Sequence, residues 1–352
     1  MMLKKMMIIC LCSAFSLAAC SKVETQQKGI QVIDFKNPKK VCFGRIELSV
    51  PRETLVEYSG FNYNGSDLEV DDSIKTYAAY QKLVNDKIQY LKHEPHETEG
   101  VLLTQEMKGP VQQHGRSISH IIVFRDGEFV KSIYEIYGYL YLGPGKLLIL
   151  KSGASNDLLD QSLAAMKHNL QNIKIRSSQG EAQAGLCWRE YFIVDDMRQN
   201  IPFTGGYLHF TFPSYPRVRA DIEHRVRLES DRPLIEMFRE NEANAPLIFK
   251  TMMSTKKLRE QPKEINELAG EEVFGYAHRR GFFERGFESA AWQYLGSLEN
   301  TNDPFIHYSL ESAELVHDDE PLQSTISQKE VIKLNDFILN SLQISANNKK
   351  EK

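Results

Sequence analysis

The densest set of possible metal ligands in the chain is His93-Glu94-Pro95-His96-Glu97. Two imidazoles flanked by carboxylates could hold a divalent cation if one regular helix presented them together. The order is not HExxH, and Pro95 interrupts the helix that would aim both rings at one ion. A solvated helix exit accounts for the cluster without a metal. No G-x-S-x-G is present, so the common serine-hydrolase elbow is missing. Gly138, Gly143, Gly145 and Lys146 are misspaced for a phosphate loop, and Pro144 stands where that loop would continue. The acidic groups Asp71-Asp72 and Asp318-Asp319-Glu320 read as solvated or helix-start charge. A hydrolase could still assemble around His278 or His307 without any linear motif. No catalytic residue, metal ligand or cofactor is assigned.

Cysteine chemistry is more informative. Lys4 and Lys5 precede an uncharged apolar stretch, residues 6–19, and Leu17-Ala18-Ala19-Cys20 follows in register. The apolar run is signal-sized and short for a membrane span. The ending is similar to a bacterial lipobox, in which the thiolate of Cys20 is the nucleophile that takes the lipid. Among such lipoproteins Asp after the Cys goes with inner-membrane retention. Ser21 therefore implies a periplasmic protein anchored in the inner leaflet of the outer membrane. Of the 5 cysteines, Cys10 and Cys12 would leave with the signal and Cys20 would carry lipid, so Cys42 and Cys187 remain. In an oxidising compartment they could form a bridge; two buried free thiols are the alternative.

The whole chain has 352 residues, with 43 Lys+Arg against 47 Asp+Glu. That balance asks for no nucleic acid, and the length suits about two domains. Loss of residues 1–19 would leave 41 basic against 47 acidic residues, net −6. The expected organisation is a signal peptide over 1–19, a lipid tether over 20–38, an α+β domain over 39–176, a polar linker over 177–185, a second α+β domain over 186–345 and a frayed tail over 346–352.

Periodicity supplies the elements. Ile46, Leu48 and Val50 alternate with Arg45, Glu47 and Ser49, which predicts a half-buried strand ended by Pro51. Tyr77, Tyr80, Val84, Ile88 and Leu91 define one face of a helix with Ser73 as its possible cap. Strand signals occupy 118–125, the segment after Asp126-Gly127, and KLLIL after the turn at 143–145. Leu159, Leu163, Met166, Leu170 and Ile173 predict a closing helix. The pattern then restarts with GLCWREYFIV and GYLHFTF. Asp231 is placed to cap a helix reaching about 245, with Leu234, Ile235 and Phe238 inward. Three strand segments follow, EEVFGYAHRR, FFERGFESAAWQYLG and PFIHYSLE. Ser327 and Glu330 form a capping box before Val331, Leu334, Ile338 and Leu342. The stripes 163/166/170 and 331/334/338 share their spacing, so two related α+β domains are expected, each an antiparallel sheet with packed helices.

The clearest alternation lies between 217 and 228. Arg217, Arg219, Arg225 and Arg227 alternate with Val218, Ala220, Ile222 and Val226, and His224 falls on the inner side. A solvated sheet face explains the pattern; a partner-facing sheet is the sharper reading, because mixed charge can match a complementary surface. Aromatics cluster nearby in Phe203, Tyr207, Phe212 and Tyr215. Another set, Phe282, Phe283 and Phe287, lies beside Arg279, Arg280 and Arg285. Most are expected in the core, with a few suited to an interface.

The chain resembles the immunity proteins of type VI secretion lipase effectors, in their two-domain periplasmic lipoprotein form. The resemblance rests on CFGRIELSVP at 42–51, GLCWREYFIV, LESDRPLIEMFRENEA, GEEVFGYAHRRGFFERGFESAAWQY and the capping-box final helix. Together these cover most of 38–342, and 52–115 matches more loosely. The resemblance implies a claw of two α+β domains that holds the mobile lid of a phospholipase effector. It implies no enzymatic activity and no cofactor, and membrane contact through the N-terminal lipid alone. It also carries over Cys42 and Cys187 as a candidate disulfide. A structural or assembly lipoprotein of the envelope is the alternative function.

Overall fold

Helix and strand assignments come from a computed structural model, which describes residues 33–113, 116–127, 131–177, 184–194, 204–247, 253–279, 286–313 and 326–345. The signal segment, Cys20, linker residues 178–183, Phe203, Arg280, Phe282, Phe283, Arg285, the acidic group at 318–320 and the tail from 346 lie outside the described residues.

The first half begins with a hairpin, β1 (Lys39–Phe43) and β2 (Ile46–Val50), and a second pair, β3 (Leu55–Tyr63) and β4 (Ser66–Asp71). Helix α1 (Tyr77–His93) leads into β5 (Leu103–Lys108), β6 (Ser119–Arg125), β7 (Ile133–Tyr141) and β8 (Leu147–Ser155). Helix α2 (Leu159–Asn172) and the short β9 (Ile173–Ile175) close it. The second half repeats that order. It runs β10 (Gly185–Trp188), β11 (Tyr191–Val194), β12 (Gly205–Phe212), β13 (Tyr215–Arg225) and α3 (Leu234–Asn244). Then come β14 (Met253–Ile265), β15 (Leu268–Arg279), β16 (Gly286–Tyr294), β17 (Phe305–Glu311), α4 (Gln328–Asn340) and β18 (Gln343–Ile344).

The pairing makes the repeat physical. One 12-stranded antiparallel sheet runs β14-β15-β16-β17-β13-β12-β3-β4-β8-β7-β6-β5. Its order reads the same outward in both directions from the β3–β12 seam, where Tyr58 faces Leu208 and Val56 faces Phe210. Two small sheets, β1-β2-β18 and β10-β11-β9, pair each half's last strand with the other half's first hairpin. The Cys-led segments read as single strands from sequence are therefore hairpins. Their turns hold Gly44 and Arg189 at φ 55 and 53. Gly44 has no freedom to be anything larger, since a Cβ there would lie 2.5 Å from the His224 ring.

The core lies on one side of the large sheet. Ile136, Leu140, Leu148 and Leu150 meet Leu163, Met166 and Leu170 of α2, while Leu208, Ile222, Tyr308 and Trp292 join Val331, Leu334 and Ile338 of α4 in the same cluster. Both closing stripes are buried, as their spacing predicted. On the opposite side α1 packs Tyr80, Val84, Ile88 and Leu91 over Ile122, Phe124 and Tyr139. Helix α3 packs on β15 and buries only Leu234.

Several local expectations change. Thr76, not Ser73, caps α1, its hydroxyl accepting from the Ala79 N–H at 3.1 Å; Ser73 instead bonds Asp71. Asp231 does not cap α3, because its carboxylate is taken by Arg225 and the Leu228 N–H. Arg45, placed outward by alternation, is 0% exposed, since the hairpin turn reverses the strand there. Ile33 is buried and Phe35 stacks edge-on against Phe337 at 4.8 Å, so the last part of the segment read as tether is packed on α4. The capping box of α4 forms as read, with both Ser327 and Glu330 bonds present.

The sheet's two outer edges were not legible. Edge strand β14 carries Lys256, Lys257, Lys263 and Pro262, residue types that discourage further strand pairing and also erase the strand signal. It is tied inward instead. Arg259 forks onto Asp336 of α4 at 2.5 and 2.8 Å and also reaches Glu272 at 3.1 Å, which Lys263 meets at 2.8 Å. Glu272 is 1% exposed, so these cations keep its carboxylate from standing buried and alone. Asp336→Ala is expected to lower stability by about 1–3 kcal/mol, read as a smaller urea midpoint with an unchanged slope. An unchanged midpoint would mean that α4 does not hold the edge strand.

Candidate partner-binding surface

Between α1 and α3 no described element covers the central strands of the large sheet. Registers place the side chains that share this face. His209 of β12 stands opposite Glu57 of β3 and Asp221 of β13, and Asp221 stands opposite Ser309 of β17. The next row holds Ser59, Tyr207, Glu223 and His307. Another row brings together Leu55, Thr211, Arg219 and Glu311. Leu55 is 61% and Tyr207 48% exposed, which puts two large apolar bodies on an otherwise charged surface. Aromatic and aliphatic anchors inside a polar rim are what a protein interface uses.

Arg217, Arg219 and Arg225 project from β13 opposite to buried Val218, Ala220, Ile222 and His224, as alternation predicted. They are not equivalent. Arg225 meets Glu223 at 2.6 Å and forks onto Asp231 at 2.6 and 2.7 Å, with its guanidinium 3.9 Å from the Phe305 ring centre. Burial works against ionised Asp231, but the Arg225 and Leu228 bonds hold its carboxyl below the usual range. Arg227 lies past the strand end and donates to the Gly296 carbonyl at 3.1 Å. Arg279 is the last residue of β15, opposite Met253. Phe212 and Tyr215 are buried, whereas Phe287 is half-buried in β16.

His307 and Tyr207, singled out in the sequence, share the face with His209 and Glu311, which were not. His209 Nδ1 lies 2.5 Å from Asp221 Oδ1. Burial lowers the His307 pKa, and burial together with Asp221 raises that of Glu311. The Tyr207 hydroxyl donates to Glu223 at 3.2 Å, and Glu223 raises its pKa. The clearest alternation lay in β13; these residues come from β12, β13 and β17, which pairing alone brings together. His278, on β15, stacks on Tyr276 at 5.6 Å and stands apart from these rows.

On the covered side the two hairpins meet. Cys42 and Cys187 are joined by a disulfide, with Cα atoms 5.6 Å apart. Gly44 and Cys187 exchange two backbone hydrogen bonds, each 2.8 Å. Among the described residues no group of three His, Cys, Asp or Glu could hold a metal ion. The His93–Glu97 cluster is a helix exit, with His96 accepting backbone N–H groups from the following turn.

Residues 181–347 match the family model described as Tle cognate immunity protein 4 C-terminal domain. The apo structure of immunity protein TplEi of the type VI secretion system from Pseudomonas aeruginosa aligns with TM-score 0.73 at 19% identity, covering 89% of this chain and 99% of that one. A chain of the Tle4–Tli4 complex crystal structure gives TM-score 0.73 at 19% identity, covering 88% and 98%. TplEi complexed with "L" peptide gives TM-score 0.67 at 17% identity, covering 88% and 99%. At these identities the likeness establishes the fold. Comparison with curated protein sequences finds no match.

Proposed function

We propose, starting from the membership of residues 181–347 in the Tle cognate immunity protein 4 C-terminal domain family, that this chain is a non-catalytic immunity protein. It binds and inhibits a type VI secretion phospholipase effector. The observation that carries the reading is that family match, set within a fold shared over nearly the full length of the Tle4–Tli4 complex chain. An inhibitor of this kind needs a surface and no reaction. Holding the effector's lid in its closed state lowers activity by the preference of the chain for that state over the open one. The uncovered sheet face, with Leu55 and Tyr207 among fixed charges, is the surface assigned to that contact.

Lipidation at Cys20 and tethering to the inner leaflet of the outer membrane complete the reading. A tether concentrates the inhibitor beside the lipid that the effector attacks. Mixing the purified chain with the lipase-like protein it captures from its host should abolish lipase activity. Full activity at excess chain, with no complex on a sizing column, would discard the proposal. Cys20→Ala should move the protein from the membrane to the soluble periplasmic fraction; unchanged membrane fractionation would refute the lipid anchor.

A further inference from the structure

The two hairpin turns occupy equivalent places in the repeat but have different surroundings. At the first, the Arg45 carbonyl accepts from the Ser345 N–H at 2.8 Å; at the second, the Glu190 carbonyl accepts from the Arg176 N–H at 2.8 Å. The first turn is closed over. Arg45 is 0% exposed and its Nε donates to the Thr301 carbonyl at 2.6 Å, while Thr301 and Asn302 are themselves buried. Those two residues belong to the β16–β17 connection, residues 295–304. Its counterpart between β7 and β8 spans only 142–146, and Gly145 there bonds the Ile74 carbonyl ahead of α1.

Among the described residues the second turn has no such cover. A pocket of about 460 Å³ lies there, lined by Val56, Glu57, Tyr58, Arg176, Arg189 and Glu190. Among the described residues neither guanidinium forms an ion pair with a carboxylate, Glu57 and Glu190 included. Arg189 is carried on the φ 53 turn residue, its guanidinium 5.5 Å from the Trp188 ring centre. Two unpaired guanidiniums beside an aromatic wall suit a carboxylate, because each offers a planar fork of donors.

The geometry points to this pocket as a docking site for an acidic loop of the bound effector, which fills at the second turn the place that residues 295–304 fill at the first. The inference rests on the immunity reading above and adds a second contact, at the second hairpin turn beside Val56, Glu57 and Tyr58 of β3. Its chemistry is a partner Asp or Glu forked by Arg176 and Arg189 against Tyr58.

Calorimetry with the effector captured by the wild-type chain tests it. Arg176→Ala/Arg189→Ala should weaken binding at least tenfold, with an unchanged melting temperature and a shallower dependence on salt. Arg176→Lys/Arg189→Lys should recover part of the affinity, since charge is restored without the fork. Equal affinity of wild type and double-alanine variant overturns the pocket and leaves the immunity reading standing. A wild-type chain that captures no lipase overturns that reading and the pocket with it. Loss of binding to phosphatidylglycerol vesicles with effector affinity intact would assign the arginines to lipid phosphate, and a dimer lost in the variant would assign them to a second copy; either result overturns the proposal.

Discussion

Replacing Cys42 and Cys187 together by Ser is expected to be among the most damaging changes available to this fold. The bridge spans 145 positions, and closing a loop of that length removes about 5 kcal/mol of unfolded-chain entropy in the loop-closure model. That is a large share of the ~5–15 kcal/mol by which a domain is stable. The bridge joins equivalent strands of the two halves, β1 and β10, which otherwise meet through the paired Gly44–Cys187 hydrogen bonds. Denaturant titration of oxidised protein and of the double-Ser variant measures the difference. A gap below about 1 kcal/mol would mean that the unfolded chain is already held together there. Reductant should reproduce the variant's midpoint in the wild type and leave the variant unmoved.

Acid should act through His224. This ring is buried beneath the first hairpin turn, where its Nε2 accepts the Arg45 N–H at 3.2 Å. Burial first, and the Arg45 charge second, lower its pKa to about 3. The unfolded chain takes this proton near pH 6.5, whereas the folded chain refuses it until about pH 3. The unfolded state thus binds more protons between those values, and stability falls as pH drops. The contribution is complete above about pH 6.5 and declines by about 1.4 kcal/mol per pH unit below it, ceasing near the folded value. His224→Gln keeps an acceptor and removes the titration. It should cost stability at neutral pH and flatten the acid slope by one proton. An unaltered slope between pH 6 and 4 would show that His224 is not the group being charged.

The two halves differ in how openly their residues announced them. Helices α2 and α4 could be read because their buried side is a stripe with a helical period, and the α4 capping box is a local device. Strand β13 could be read because one side is core and the other charge. Strands β3, β4, β5 and β14 could not. β5 and β14 sit at sheet edges where polar residues and Pro262 guard the backbone, and β3 bends at a bulge near the seam. The arginines picked from β13 did reach the uncovered face, but Arg225 is spent on Glu223 and Asp231. Alternation assigns a side and says nothing of neighbours.

Local pattern alone was enough for the class of fold, its repeated order of elements, and the absence of a familiar catalytic frame; it left Cys42 and Cys187 as a candidate pair that the tertiary structure joins. Those properties reside in residue type and short spacing. The continuous sheet across the seam, the exchange of β9 and β18 between halves, the burial of Arg45, and the uncovered turn at Arg189 belong to the tertiary structure. Except for the β9 pairing, which spans fewer than twenty-five positions, each depends on contacts between residues more than a hundred positions apart, whose energies are set by which surfaces meet and which loop is long enough to cover them.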